Sequence, residues 1–216
     1  MLDPRSLGLY VLTSSGYVPG RGHLDVGLAA IEGGATAIQL RAPSLGDADL
    51  LPIATELANR CREARVLFLV NDRVEVAIAS GADGAHVGQD DDPTAAREAL
   101  GPERVLGVSI LAPEEAETAA AAGADYLGVT IWATPTKPEA VPVDLDGLRS
   151  IVRATRLPVV GIGGIHIGNV RDVLAAGAAG VAVVSAVGAA PDPVAATARF
   201  AAVVHAFDPS DHPDAR

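Results

Sequence analysis

Residues 104–129 read RVLGVSILAPEEAETAAAAGADYLGV. A short apolar run, 104–108, is followed by Pro113 and then by Glu114, Glu115 and Glu117. Proline fits a first helical turn, and acidic side chains there complement the positive end of the helix dipole. The alanine-rich stretch 113–122 stops at Gly123-Ala124-Asp125, where glycine suits a left-handed cap. A second apolar run, 125–129, begins at once. Strand, helix and strand within about 26 residues is the signature of a parallel βαβ unit.

The pattern repeats in both directions. Apolar runs at 8–13, 36–41, 66–70, 83–87, 158–162 and 180–184 bring the expected buried strands to eight. Helical spacing of Leu, Val and Ile covers 47–64, 94–100, 145–155, 168–176 and 191–206. Gly-Ala recurs at Gly34, Gly81, Gly123 and Gly177, at spacings of 47, 42 and 54 residues, about two units each. Eight alternating units predict an α/β fold closed as a (β/α)8 TIM barrel, a single domain over 1–206 with a flexible polar tail at 207–216. An open doubly wound sheet would carry G-x-G-x-x-G after the first strand, whereas residues 12–22 read LTSSGYVPGRG.

Composition narrows the function. The chain has 216 residues, is 49% hydrophobic and carries a net charge of −11. That balance excludes bulk disorder. The negative charge and only seven aromatic residues argue against nucleic-acid binding and against an anionic membrane surface. No apolar stretch approaches the ~20 residues of a membrane span. The N-terminus lacks a signal pattern, and the single cysteine, Cys61, fits a reducing compartment, so a cytoplasmic protein is expected. Acidic barrels of this size often pair, which leaves a homodimer open.

In such a barrel the chemistry belongs to the C-terminal ends of the strands. The rare polar residues fall there. Gln39 and Gln89, the only glutamines, lie at or just beyond strand ends, and Asn71 follows the third run. Among 15 arginines stands one lysine, Lys137, in the loop after strand 6. Asn71-Asp72 and Gln89-Asp90-Asp91-Asp92 place carboxylates on adjacent loops. These suit Mg²⁺, which takes one or two carboxylates plus waters and phosphate oxygens, or alternatively they cap the helices that follow. Arg41 offers either a forked phosphate contact or a salt bridge to those aspartates. Gly161-Ile162-Gly163-Gly164 and Val184-Ser185-Ala186, after strands 7 and 8, form the common phosphate cradle of this fold. Thr134-Pro135-Thr136-Lys137 adds two hydroxyls and an ammonium beside it. His86 reads as a packed interior histidine, and Trp132 as either a lid or a packing residue.

Together these motifs resemble the thiamine-phosphate synthase family from about Tyr10 to His205. They occur in order: Gln39-Leu40-Arg41, Val70-Asn71-Asp72, His86-Val87-Gly88-Gln89-Asp90-Asp91, Gly107-Val108-Ser109, Thr134-Pro135-Thr136-Lys137, Gly161-Ile162-Gly163-Gly164-Ile165 and Val184-Ser185. The resemblance implies a Mg²⁺-dependent transferase. It would join hydroxymethylpyrimidine diphosphate to hydroxyethylthiazole phosphate, releasing pyrophosphate. It assigns Asp72 and Asp91 to the metal. Gln39, Arg41, Asn71, Ser109 and Lys137 would hold the pyrimidine and its diphosphate, with Arg41, Ser109 and Lys137 in catalysis. Thr134, Thr136, Gly164, Val184 and Ser185 would hold the thiazole phosphate. The family usually continues Q-x-R-x-K, but this chain has Pro43 at the lysine position, with Arg21 as a candidate substitute. The loop after strand 6 also looks one residue short. Other readings are a thiazole tautomerase-like relative, which needs no metal carboxylates, and a non-catalytic phosphate-ligand-binding barrel.

Overall fold

The computed structural model describes residues 2–134, 140–208 and 210. Eight strands run in chain order: β1 Leu9–Leu12, β2 Ala37–Leu40, β3 Leu67–Asn71, β4 Gly84–Val87, β5 Val105–Ser109, β6 Tyr126–Thr130, β7 Val159–Ile162 and β8 Gly180–Val183. Each pairs in parallel with the next, and β8 pairs with β1, closing the barrel. Helices α1 His23–Glu32, α2 Asp47–Ala64, α3 Val74–Ser80, α4 Pro93–Leu100, α5 Pro113–Ala121, α6 Asp144–Ala154, α7 Val170–Ala175, α8 Ser185–Gly188 and α9 Pro193–His205 follow the strands.

Alternation along each strand divides the core into two layers. Leu9, Val11, Ile38, Leu40, Phe68 and Val70 face outward and join the helices in one large apolar cluster. Tyr10, Leu12, Ala37, Leu69, Tyr126, Val160 and Ala182 form the barrel interior. The interior is thus a packed core at its lower levels, and its top level carries the polar residues.

The Gly-Ala repeat is a device of the opposite, N-terminal end. Gly34, Gly81, Gly123 and Gly177 all adopt left-handed backbone, with φ from 72° to 96°. Two residues later, three side chains accept from a neighbouring strand. Thr36 Oγ1 takes the Leu9 N–H (3.0 Å), Asp83 Oδ2 the Phe68 N–H (2.8 Å) and Asp125 Oδ2 the Leu106 N–H (2.8 Å). Ala179 holds the fourth equivalent place and has no such group. Arg97 reinforces this end. Its guanidinium donates to Asp125 Oδ2 (2.7 Å) and to the carbonyls of Gly101, Arg104 and Gly123.

Helices α1 and α8 are absent from the sequence expectation, and α3 enters it only as a helix for Asp72 to cap, without bounds. α3 and α8 span 7 and 4 residues, too short for a helical period to register. α1 begins at Gly22, where Asp25 Oδ2 accepts the Gly22 N–H instead of a side-chain cap at the start. At the other end of the chain Phe207 packs, partly buried, against the outer cluster. Residues 209 and 211–216 of the expected tail lie outside the described residues, as do Thr136 and Lys137.

Candidate active site

The C-terminal mouth of the barrel holds a cavity that is open in part to solvent. Gln39 and Arg41 reach it from β2, Asn71 from β3, Ser109 from β5 and Thr134 from the loop after β6. A second cavity adjoins it, lined by Gly163, Gly164, His166 and Ser185. Thr134, Ile162, Gly163, Ala182 and Val184 belong to both walls, so the two form one bipartite site.

The metal candidates sit on the rim beside this cavity. Asp72 has a φ of 61°, a left-handed conformation that a non-glycine residue seldom adopts, and its backbone N–H is held by the His86 carbonyl at 2.8 Å. Its carboxylate is thereby turned toward the loop after β4. A Cβ placed on Gly88 would lie 3.4 Å from Asp91 Oδ2 and 4.0 Å from Asp72 Oδ1, so the two carboxylates converge over that glycine. Asp91 Oδ2 also accepts the Gly88 N–H at 2.8 Å. The capping alternative belongs to Asp92, whose Oδ1 accepts from Thr94 and Ala95 at the start of α4. No group of three His, Cys, Asp or Glu gathers among the described residues. Two hard oxygen donors of this kind fit Mg²⁺ completed by waters and substrate oxygens.

Arg41 makes no ion pair with Asp72, Asp90, Asp91 or Asp92 among the described residues, which leaves its guanidinium available at the cavity. Its backbone N–H is held at 3.3 Å by Thr13 Oγ1, itself 3.0 Å from His23 Nδ1. Burial lowers the His23 pKa, favouring the neutral ring that can accept the Thr13 proton. Arg21 is not the missing lysine's substitute. Its guanidinium donates to the carbonyls of Gly188, Ala190 and Pro191 after β8, and it does not line the cavity. The Pro43 position is an exposed turn.

The glycine loop after β7 is braced from both sides. Gly163 and Gly164 have φ of 87° and 65°. A Cβ on Gly163 would meet the Trp132 carbonyl at 2.7 Å, and one on Gly164 the Trp132 side chain at 2.9 Å. Trp132 is therefore a packing residue beneath this loop. Asn169 fastens the loop's far side, donating to the Gly164 carbonyl (3.0 Å) and accepting the His166 N–H (2.8 Å).

Three residues outside the sequence-derived set complete the cavity wall. Tyr10, Tyr126 and His86 link Gln39 to Ser109. Gln39 Nε2 donates to Tyr10 Oη (2.8 Å), which lies 3.0 Å from Tyr126 Oη. Tyr126 Oη is 2.8 Å from His86 Nδ1, and His86 Nε2 is 2.9 Å from Ser109 Oγ. Burial raises the pKa of both tyrosines, so they stay neutral phenols. The sequence signal was the company each keeps: His86 and Tyr126 occupy inward strand positions beside Gly107 and Gly128, and only glycine leaves space there. A Cβ on Gly107 would lie 2.2 Å from Tyr126 Cζ and 2.4 Å from His86 Nδ1. Gln39 Oε1 remains a buried acceptor with no partner among the described residues.

The model of the thiamine monophosphate synthase family matches residues 9–187. The chain belongs to that family. The thiamine-phosphate synthase of Chloroflexus aurantiacus is 50% identical over 198 residues, 91% of this chain and 92% of that one. The thiamine-phosphate synthase of Roseiflexus sp. RS-1 is 47% identical over 199 residues, 91% and 84% of the two chains. A solved thiamine phosphate pyrophosphorylase from Pyrococcus furiosus superposes with a TM-score of 0.86 at 39% identity, covering 94% of this chain and 97% of its own. Membership in the thiamine monophosphate synthase family makes this chain an enzyme, a transferase of thiamine biosynthesis.

Proposed function

We propose that the chain condenses hydroxymethylpyrimidine diphosphate with hydroxyethylthiazole phosphate to give thiamine phosphate and pyrophosphate. The observation that carries this reading is the bipartite cavity, whose two parts share a wall and suit two substrates face to face. Holding both in one orientation removes much of the entropic barrier to their union.

Gln39, Asn71 and Ser109 grip the pyrimidine side. Arg41 takes the diphosphate with a planar, two-pronged donor. On the thiazole side, the Gly164 loop and the Val184-Ser185 turn offer donors to the phosphate, with Thr134 between the two halves. By the family motif Thr136 joins the thiazole side and Lys137 joins Arg41 on the diphosphate. In the reaction the bond from the pyrimidine methylene to the diphosphate oxygen breaks, and a bond from that carbon to the thiazole nitrogen forms. Negative charge grows on the departing pyrophosphate, and Arg41 stabilises it. No protein nucleophile is needed. Asp72 and Asp91 would hold Mg²⁺, which would neutralise charge on the leaving group. That carboxylate pair favours the synthase over a tautomerase or a non-catalytic binder, because neither of those needs it.

The test is pyrophosphate release by the purified protein given both substrates. Release is expected with Mg²⁺ and lost with EDTA, while calorimetric binding of the thiazole phosphate survives EDTA. Asp72→Asn, which keeps a side chain that tolerates the left-handed backbone, should lower turnover at least 100-fold with an unchanged melting temperature. Full activity of that variant, or no release from the parent protein, overturns the assignment.

A further inference from the structure

The loop after β1 lines neither cavity, yet it reaches across to α8. Residues 13–22 run from the end of β1 to the start of α1, and none of them belongs to either cavity wall. Near the end of this loop Arg21 is half-buried, and its backbone N–H donates to the Val18 carbonyl at 3.1 Å. Its guanidinium donates to the carbonyls of Gly188 (3.2 Å), Ala190 and Pro191 (3.1 Å), at and just beyond the C-terminal end of α8. At the start of the loop Ser14 is buried, and a Cβ on Gly188 would lie 2.1 Å from its Oγ. The loop therefore meets α8 at two points, one a close approach of backbone and the other a planar fork of donors.

α8 needs such a hold. A helix of 4 residues makes too few internal hydrogen bonds to persist alone, and its last carbonyls have no partner within it. Ser185, Ala186 and Ala189 of this segment nevertheless form part of the wall of the second cavity. The base of the hold is firm. Arg21 directly precedes Gly22, whose N–H is fixed by Asp25, and α1 is rooted by the fully buried Val26 and Ala30. Resting on the synthase reading, we infer that Arg21 is a positioning residue: from outside both cavities its guanidinium clamps the α8 wall to the loop after β1, and so sets the affinity for the thiazole phosphate. Three carbonyls at one side chain call for arginine's rigid fork. Lysine keeps the charge and loses the planar array of donors. Without the fork those carbonyls turn to water and the wall loosens. Ordering it then falls to the ligand, which binds more weakly for that reason. The pyrimidine side, built on β2, β3 and β5, is untouched.

Two measurements on the full-length protein test this. Amide hydrogen exchange is compared between the parent and Arg21→Met, which keeps an unbranched stem and removes every donor. Exchange at residues 185–190 should quicken at least tenfold, while β3 and β4, across the barrel, keep their protection. An unchanged rate at 185–190, or an equal rise throughout the barrel, overturns the clamp without any substrate. Calorimetry in EDTA then gives the Kd for hydroxyethylthiazole phosphate. Arg21→Met should raise it at least tenfold, with KM for that substrate rising in step and with kcat at saturation and KM for the pyrimidine diphosphate unchanged. Arg21→Lys should still bind at least threefold more weakly than the parent. Parent affinity in Arg21→Lys traces the effect to net charge and overturns the clamp, as does an unaltered Kd in Arg21→Met. A parent protein that neither binds the thiazole phosphate nor releases pyrophosphate overturns the synthase reading, whereas the exchange result stands apart from it.

Discussion

At the scale of single residues, the site depends on what is missing as much as on what is present. Gly107 has no Cβ, and the Tyr126–His86 hydrogen bond occupies the space. Gly107→Ala should lower stability by about 1–3 kcal/mol, read from a urea melt, because the neighbours are rigid rings with nowhere to move. It should also impair turnover, since Ser109 loses its support. Cys61 illustrates the opposite case, a reactive group made inert. Its thiol is buried and pushed up to about 12, so thiol reagents at pH 8 should modify it only as the protein unfolds.

At the scale of elements, strand ends carry Gln39, Asn71 and Ser109 to the cavity, while loops carry Thr134 and the Gly163-Gly164 turn. The strands were legible: all eight runs coincide with β1–β8 to within about two residues, because continuous apolar stretches between Gly-Ala marks have few other readings. Gln39, Arg41 and Asn71 stood out in the sequence as rare polar residues at strand ends and they line the cavity, whereas Ser109 came only with the family motif. The Tyr10–Tyr126–His86 link was not, since its members are 116 and 40 residues apart in pairs and look like ordinary core positions. Nor was the commitment of Arg21 to the carbonyls after β8, a contact set by loop geometry alone. The Gly-Ala-Asp repeat was legible as punctuation but not as a hydrogen-bonding device. Its Asp125 accepts from both Leu106 and Arg97 at the end remote from the cavity. Asp125→Ala should therefore destabilise the fold by about 2–4 kcal/mol in denaturant titration, with kcat unchanged in the folded fraction.

At the scale of the whole molecule, closure of the sheet leaves no edge strand and gathers every inward side chain into one column. Two groups of that column and one outside it titrate only at high pH. Cys61 against the outer face and Tyr10 and Tyr126 inside have pKa values raised by burial above their ordinary 9.0 and 10.0. The unfolded chain ionises these groups first, so it binds fewer protons than the native state and gains as pH rises. Stability should be full below about pH 8 and fall between pH 9 and 12, with Cys61 alone contributing a loss of about 1 kcal/mol by pH 10. Urea midpoints measured across that range would reveal it, and a flat profile would contradict the burial of these groups. Among the described residues no helix is long and apolar enough to cross a membrane.

The exposed turn at Pro43 sits outside the strand framework that carries Gln39 and Ser109. On the proposed reading, a cationic side chain grafted at that turn would tighten the hold on the leaving group without disturbing any residue of the strands.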